Sequence, residues 1–294
     1  MDFLTFWQTL PLHLDPAVVT IGGKHILQLG TDRSGAGFPI LWYGFMYIVG
    51  FAVNIGMLKK LCRRGDVNIL ENDMENLCIW IIIGILLGGR FGYVFLYNFS
   101  YYIQNLSEII LPFADGKFVG ISGMSFHGAV IGGTLFGTIY TIIKKLDWKE
   151  CANAVFFVAP LGYAFGRFGN FMNGELYGRQ TDSPIGMYFP ADPQVLRLPS
   201  QLFQMFGEGF ALFGLLWLLR KFIPATKNLM MPFFFIGYGA IRFFIEFYRE
   251  PDAHIGLNSL GLSQGQMLCA AMILAGMILL PFFMRKTETR ITNG

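Results

Sequence analysis

Three arginines, Arg90, Arg167 and Arg242, lie inside stretches of sequence that are otherwise apolar enough to cross a lipid bilayer. A guanidinium is costly in hydrocarbon and does not lose its proton in a protein. Something anionic or a water-filled cavity must therefore meet these side chains. Because the planar guanidinium fork matches phosphate oxygens, the residue type favours recognition of a phosphate.

The rest of the chain places these arginines in a membrane. A mean hydropathy of +0.50, with 54% hydrophobic and only 14% charged residues, is too apolar for a water-soluble surface. Runs of about 20 apolar residues predict seven transmembrane helices in an all-α integral membrane fold with small extracytoplasmic segments. The predicted spans are about 38–58, 77–98, 127–143, 152–170, 202–219, 229–248 and 266–284.

The distribution of Lys and Arg predicts the orientation of these spans. Thirteen of the 22 basic residues follow spans one, three, five and seven, and six lie on the opposite side. The positive-inside rule then places the amino terminus outside and the carboxyl terminus inside. We expect one polytopic domain over 1–294, with an outer arm at 1–37 and an irregular outer head at about 171–201.

Within the arm, Val18 to Ile21 and His25 to Leu27 flank Gly22-Gly23-Lys24. This pattern predicts a short hairpin at the outer membrane surface.

The orientation converts sequence positions into depths. At about 1.5 Å of rise per residue, all three arginines fall in the outer half of the membrane. His127 begins the third span and Tyr43 lies in the first turns of the first span, at similar depth. One cavity that opens outward would collect these groups.

Few carboxylates accompany them. Glu246, and Glu175 or Glu208, are the only ones nearby in the predicted topology. Positive charge is in excess, so an anion is expected. A phospholipid that enters sideways brings its phosphate to this depth while its acyl chains stay in hydrocarbon, which favours a lipid substrate.

Each residue also has an ordinary structural interpretation. Arg242 and Glu246 are four residues apart and suit an ion pair on one helix face. Arg90 can reach the interface or bind carbonyls, and a lone His127 is more often a hydrogen-bonded core residue. The aromatic belt is the simplest use of Tyr43, Tyr93 and Tyr97.

Small residues four apart suggest close helix contacts. They occur at Gly84/Gly88, Gly128/Gly132, Gly133/Gly137 and Gly162/Gly166. Helix packing explains most of them, although those beside Arg90 and Arg167 also suit an opening next to the charge.

Other classes of site find no support. The four cysteines show no CxxC spacing, so neither a disulfide framework nor a metal site is implied. The net charge of +3 is explained by topology, and nothing indicates binding to nucleic acid.

The segment from Gly166 to Arg179, GRFGNFMNGELYGR, resembles the signature segment of the prolipoprotein diacylglyceryl transferases. Five other segments are similar to family motifs in the same order, and the resemblance runs from about residue 16 to 285. They are Trp42 to Tyr47, Gly88 to Tyr93, Gly123 to Gly128, Pro199 to Leu202, and Gly237 to Asp252.

The resemblance implies an inner-membrane enzyme with seven helices and an outward-facing site. Such an enzyme transfers diacylglycerol from phosphatidylglycerol to the lipobox cysteine of a preprolipoprotein signal peptide, giving a thioether and glycerol 1-phosphate. No cofactor or metal is required. The resemblance implies that His127, Arg167 and Arg242 are the central catalytic groups. We assign substrate binding to Tyr43, Arg90, Tyr93, Asn170, Glu175, Gly178, Tyr238 and Glu246.

The chemistry explains these residue types. A thiol attacks as thiolate, so displacement at the glycerol carbon benefits from a base near neutral pH, and His127 is the candidate. Arg167 and Arg242 would stabilise the charge that builds on the departing phosphate. Asn170 and Tyr43 would position the headgroup, and Gly178 would let the backbone approach a ligand.

The chain departs from the family pattern near its fifth span. Leu198 stands where a histidine is common, and Phe203-Gln204 where Tyr-Glu is common. A mechanism that needs a second histidine or a carboxylate at these positions is therefore in doubt here.

Two other functions stay open from the sequence. A transporter or lipid-binding channel would use the same arginines, but no internal repeats are evident. A phosphotransferase or hydrolase would need another site, because neither G-x-S-x-G nor H-E-x-x-H occurs.

Overall fold

A computed structural model describes residues 2–21, 27–29, 38–109, 113–114, 117–118, 123–250 and 261–284. The chain divides into two compact units. The first unit combines Met1–Met57 with Ala152–Gly294, and the second is Leu58–Cys151.

Ten α-helices are found in the described residues. They are α1 (Phe3–His13), α2 (Trp42–Arg63), α3 (Glu71–Leu96), α4 (Phe99–Tyr102), α5 (Phe126–Ile143), α6 (Trp148–Met172), α7 (Ser200–Gln204), α8 (Leu212–Phe222), α9 (Met230–Ile245) and α10 (Gln264–Met284). A π-helical segment, Met205–Ala211, joins α7 to α8.

Three small antiparallel sheets accompany the helices in the described part of the chain. Their strands are β1 (Ala17–Ile21), β2 (Leu27–Leu29), β3 (Phe38–Leu41), β4 (Phe113–Ala114), β5 (Lys117–Phe118), β6 (Met187–Phe189) and β7 (Asp192–Arg197).

Six helical segments within the described residues are long and apolar enough to cross a membrane. They are Trp42–Arg63, Glu71–Phe95, Phe126–Ile143, Ser200–Phe222, Pro224–Tyr248 and Gln264–Met284. They confirm an all-α membrane fold and correspond to six of the seven predicted spans. The predicted span at 152–170 forms helix α6. This helix has 25 residues, but it is less apolar than the six segments and is not counted with them. Its sequence includes Asn153, Pro160, Arg167 and Asn170.

The predicted start of the first span is wrong. Residues 38–41 form strand β3, and the helix begins only at Trp42. Strand β3 pairs with β1, with Ala17 opposite Leu41 and Ile21 opposite Phe38. Pairing with an existing strand satisfies the backbone of this apolar stretch as a helix would.

The arm contains more regular structure than the sequence suggested. Strands β1 and β2 form an antiparallel pair, as the hairpin prediction implied, with Val19 opposite Leu29 and Ile21 opposite Leu27. The predicted second strand, His25 to Leu27, overlaps β2 only at Leu27. The proposed turn at Gly22-Gly23-Lys24 lies outside the described residues. Helix α1 was not predicted. Its first turn is capped by Asp2, whose carboxylate accepts a hydrogen bond from the Thr5 backbone N–H at 2.7 Å.

The head segment is organised around a small apolar core rather than being irregular throughout. Phe171, Met187 and Phe189 are buried together. Strands β6 and β7 form a hairpin, and the indole of Trp7 on α1 donates to the Ile185 carbonyl at 3.1 Å. The side chain of Arg197 bonds to Asp192 at 2.7 Å, and this hydrogen bond raises the pKa of Arg197.

Glycines bring α3 and α5 of the second unit into backbone contact. A Cβ added to Gly88 would lie 2.8 Å from Gly132 Cα, and one added to Gly92 would lie 2.8 Å from Gly128 Cα. These glycines therefore serve helix packing, as the small-residue pattern predicted.

Ion pairs join the end of α2 to the start of α3 within the second unit. The guanidinium of Arg63 contacts Glu71 at 2.6 Å, and Lys59 contacts Glu75 at 2.5 Å. These pairs link the two ends of the connection that follows the first span.

Candidate active site

Helix α6 presents Tyr163, Arg167 and Asn170 on one face, since they are separated by four and three residues. Arg167 Nε donates to the Tyr163 hydroxyl oxygen at 2.8 Å, and its Nη1 donates to Asn170 Oδ1 at 3.2 Å. The guanidinium carbon also lies 4.9 Å from the centre of the Tyr163 ring.

These partners of Arg167 are neutral. Among the described residues, no carboxylate forms an ion pair with the Arg167 guanidinium, and Arg167 Nη2 has no hydrogen-bond partner. The half-buried guanidinium of Arg167 is therefore uncompensated in the sense that no carboxylate contacts it directly. It also keeps spare donors, which suits it to an external anion.

The turn after α6 fixes the next two predicted residues. Asn170 Nδ2 donates to Glu175 Oε1 at 2.9 Å, and the Glu175 carbonyl accepts a bond of 2.7 Å from Gln201 Nε2. Gly174 and Leu176 both adopt positive φ angles, of 68° and 58°. A left-handed leucine is costly, and such residues persist where the surrounding structure holds them.

The environment of Arg242 differs because carboxylates surround it. Arg242 Nη2 donates to Glu246 Oε2 at 2.6 Å, which confirms the ion pair expected from their spacing. Arg242 Nη1 lies 3.5 Å from Glu208 Oε1. Glu246 in turn accepts from Arg249 Nη1 at 3.4 Å and from Ser263 Oγ at 3.3 Å.

Two side chains, Tyr163 and Glu208, connect the two arginines. The Tyr163 hydroxyl donates a hydrogen bond to Glu208 Oε2 and accepts one from Arg167. An unbroken row of polar contacts therefore runs from Arg167 through Tyr163 and Glu208 to Arg242. The ring of Tyr238 packs edge-on against Tyr163, with centroids 5.6 Å apart.

Tyr43 reaches this region through a close approach of two helices. A Cβ added to Gly169 on α6 would lie 2.8 Å from Tyr43 Cα on α2. The hydroxyl oxygens of Tyr43 and Tyr47 are 3.0 Å apart, and the Tyr47 ring lies 3.7 Å from the Cβ position of Gly166. Both tyrosines therefore lie beside the face of α6 next to Arg167.

Gly178 permits a close approach of backbone to backbone. A Cβ there would contact the Tyr248 carbonyl oxygen and lie 2.9 Å from the Leu198 carbonyl oxygen. The Gly178 N–H donates to that Leu198 oxygen at 2.7 Å. In this structure the glycine is required where three chain segments cross, rather than at an open surface for a ligand.

The second unit contains the other predicted residues. Among the described residues, Arg90 donates to the backbone carbonyls of Ile109 at 2.8 Å, Glu108 at 2.5 Å and Gly123 at 3.3 Å. Its guanidinium also lies 5.0 Å from the centre of the Tyr102 ring. Arg90 thus has the carbonyl-binding role that was its ordinary structural interpretation.

Tyr93 and His127 belong to the same unit. The Tyr93 hydroxyl accepts from Asn98 Nδ2 at 2.8 Å, and its ring stacks on Tyr97. His127 is exposed in the first turn of α5, where Ser125 caps the helix.

The structure brings seven predicted residues to the first-unit cluster and adds others that sequence reasoning missed. The seven are Tyr43, Arg167, Asn170, Glu175, Tyr238, Arg242 and Glu246. Tyr163 is the most important addition, and its position four residues before Arg167 was the available signal. At the altered motif, Gln204 is fully buried and both of its amide atoms lack partners among the described residues. The carboxylate on this helix is Glu208, four residues further along.

These features define a multi-pass helical membrane protein with an internal site of linked arginines and carboxylates. The sequence model of the family described as prolipoprotein diacylglyceryl transferase matches residues 34–282. The chain belongs to this family, which makes it a transferase of lipoprotein biosynthesis in the bacterial inner membrane.

Individual relatives cover almost all of the chain. A protein of Chlorobaculum tepidum is 41% identical over 293 residues, covering 98% of this chain and 96% of the relative. One of Campylobacter hominis is 37% identical and covers 93% and 92%, and one of Cupriavidus necator is 40% identical and covers 84% and 89%. All three are named phosphatidylglycerol–prolipoprotein diacylglyceryl transferase.

Proposed function

We propose that this protein transfers the diacylglyceryl group of phosphatidylglycerol to the lipobox cysteine thiol of a preprolipoprotein. This is the first step of lipoprotein maturation. Two independent lines support it. The relatives are named for these two substrates, and Arg167 offers an uncompensated guanidinium to an anionic headgroup.

The reaction is a displacement at carbon. The cysteine sulfur attacks C3 of the diacylglyceryl group, and a carbon–sulfur bond forms as the bond from C3 to the phosphate oxygen breaks. The electron pair of the broken bond leaves with the phosphate, giving glycerol 1-phosphate. The thiol proton passes to a base and then to solvent or product.

Arg167 is proposed to bind the phosphate because it has spare donors beside neutral partners. Charge that builds on the leaving phosphate strengthens this contact in the transition state, which is where an interaction accelerates a reaction. Arg242 assists from the same row of polar contacts, although Glu246 and Glu208 compensate its charge.

His127 is proposed as the proton acceptor, since its imidazole is exposed in the first turn of α5 and histidine is the side chain that most often serves as a general base. Asn170 and Tyr43 would orient the headgroup, and Arg90 and Gly178 would act by holding backbone segments. The other residues proposed to support substrate binding are Tyr93, Glu175, Tyr238 and Glu246.

The proposal includes the membrane topology. We infer that α6 is a seventh span, since its 25 residues exceed the 20 or so that cross a bilayer. Its arginine and asparagines would face protein partners instead of lipid. The amino terminus would be outside and the carboxyl terminus inside, with the arm and head on the outer side among membrane lipids.

The single observation that carries the proposal is the uncompensated Arg167 on a chain of this family. The test mixes detergent-purified protein with phosphatidylglycerol and a lipobox peptide. We expect glycerol 1-phosphate release together with a mass gain of one diacylglyceryl group on the peptide. Release without peptide would indicate hydrolysis, and no release with both substrates would reject the transferase function.

A further inference from the structure

Glu208 lies between the two arginines, and its side chain is fully buried. Its Oε2 accepts from the Tyr163 hydroxyl, and its Oε1 lies 3.5 Å from Arg242 Nη1. Both of these facing atoms, Oε1 and Nη1, lack a hydrogen-bond partner among the described residues. A buried ion pair offsets its desolvation only when its geometry is excellent. Stability therefore gives a poor explanation for a carboxylate at this position.

The backbone around Glu208 is irregular in a way that places the carboxylate. The residue lies in the π-helical segment Met205–Ala211, and π-turns are rare and frequently found at functional sites. The next residue, Gly209, faces α6, where an added Cβ would lie 2.5 Å from Ala164 Cβ. The missing side chain lets this helix approach α6, so that Glu208 reaches Tyr163.

The carboxylate of Glu208 determines whether the Tyr163 hydroxyl can accept a hydrogen bond from Arg167. A hydroxyl has one proton to donate. Because Tyr163 donates that proton to Glu208, its oxygen lone pairs face Arg167 Nε, 2.8 Å away. A glutamine amide at position 208 can instead donate to the Tyr163 oxygen and compete with Arg167.

The charge of Glu208 acts on the arginines as well. Arg242 retains Glu246 as a partner on one side, and Glu208 faces its other nitrogen. Glu208 therefore limits the positive charge available to a bound phosphodiester before the reaction. It also opposes movement of Arg242 towards Glu246.

We propose that Glu208 is a positioning residue that sets the geometry of Arg167 and Arg242 around one lipid phosphate. This inference rests on the proposed function. Glu208 acts through Tyr163 on one side and directly on the other. It is not a group that touches the reacting atoms.

The main variant is Glu208→Gln, which keeps the shape of the side chain and removes its charge. We expect kcat to fall by on the order of 10²-fold, as small displacements of catalytic groups can produce. We expect KM for phosphatidylglycerol to fall as well, because loss of one negative charge strengthens binding of the anionic ground state. Simple loss of folded protein would lower the apparent kcat and leave KM unchanged.

Tyr163→Phe is the second variant, and it keeps the ring beneath Arg167 while removing the shared hydroxyl. We expect a lower kcat without the fall in KM, since no charge is lost. The double variant should be little worse than either single variant, because the two residues act through one contact. Glu71→Gln, which removes a carboxylate paired with Arg63 in the second unit, is the matched control and should keep both constants.

The experiment measures steady-state release of glycerol 1-phosphate at varied phosphatidylglycerol and saturating lipobox peptide, with thermal unfolding as the check on folding. Wild-type constants for Glu208→Gln, or a kcat that only follows the folded fraction at unchanged KM, would overturn the positioning role. If Glu208→Gln does not fold, wild-type kinetics of Tyr163→Phe would overturn it. An inactive wild-type protein would instead reject the proposed function itself, and the positioning role with it.

Discussion

Replacing Arg167 by lysine tests whether the enzyme needs a guanidinium fork or only a positive charge. Arg167 Nε and Nη1 are held by Tyr163 and Asn170 at 2.8 and 3.2 Å, which leaves Nη2 directed elsewhere. A lysine has one nitrogen at the end of a flexible chain. It cannot keep both internal contacts and still present a fixed donor to a phosphate.

The expected loss follows from the donor that is removed. Removal of one donor aimed at transition-state charge typically lowers kcat by about 10²- to 10³-fold, or about 2.7 to 4 kcal/mol. Because lysine retains the charge, ground-state binding and KM should change much less. Arg167→Ala removes the charge too and should abolish transfer.

The assay measures lipidated peptide by mass spectrometry as phosphatidylglycerol is varied. Arg179→Lys is the matched control, since Arg179 Nε donates to the Arg249 carbonyl at 2.7 Å. It should lose about 1 kcal/mol of stability from one hydrogen bond and little activity. Small and equal effects of the two lysine variants would refute the phosphate-binding role of Arg167. A loss confined to KM would show that Arg167 binds the substrate without favouring the transition state.

The remaining predictions concern packing, backbone order and proton transfer. Gly132→Ala should destabilise the protein by about 1 to 3 kcal/mol in thermal unfolding, because its Cβ would clash with the Gly84 carbonyl oxygen and lie 2.8 Å from Gly88 Cα, whereas Gly56→Ala has open space and should not. Equal unfolding temperatures would contradict the packing role. Arg90→Ala should speed amide exchange next to the carbonyls it binds, and unchanged exchange would show that these bonds are dispensable. His127→Gln should lower transfer by about 10²- to 10⁴-fold, with partial recovery as pH rises and the substrate thiol ionises by itself; a loss equal at every pH would argue against a proton acceptor.

Several features of the site could be predicted from the sequence because they depend on local spacing. The pair of Arg242 and Glu246 is a contact four residues apart on one helix, and the structure contains it. The close contact of α3 and α5 was similarly visible in glycines spaced by four. Family membership was readable from the segment that begins at Gly166, since a long motif is a property of the sequence alone.

Other features depend on contacts between residues far apart in sequence. Glu208 is 45 residues from Tyr163, and no periodicity relates an acceptor on one helix to a hydroxyl on another. The carbonyls of Glu108, Ile109 and Gly123, which Arg90 binds, lie in segments for which the sequence predicted no structure. Similarly, residues 38–41 were predicted to begin the first transmembrane helix but form strand β3, because strand β1 pairs with them.

The sequence by itself determined that this chain is a membrane protein and which family it belongs to. It also determined that the chain places arginines in apolar segments, where burying their charge costs free energy. Those conclusions follow from composition, hydropathy and motif, which are independent of how the helices pack. Only the tertiary structure decided that Arg242 is compensated by carboxylates while Arg167 has neutral partners. The electrostatic state of a buried charge is set by the groups within a few ångströms of it, and helix packing determines which groups those are.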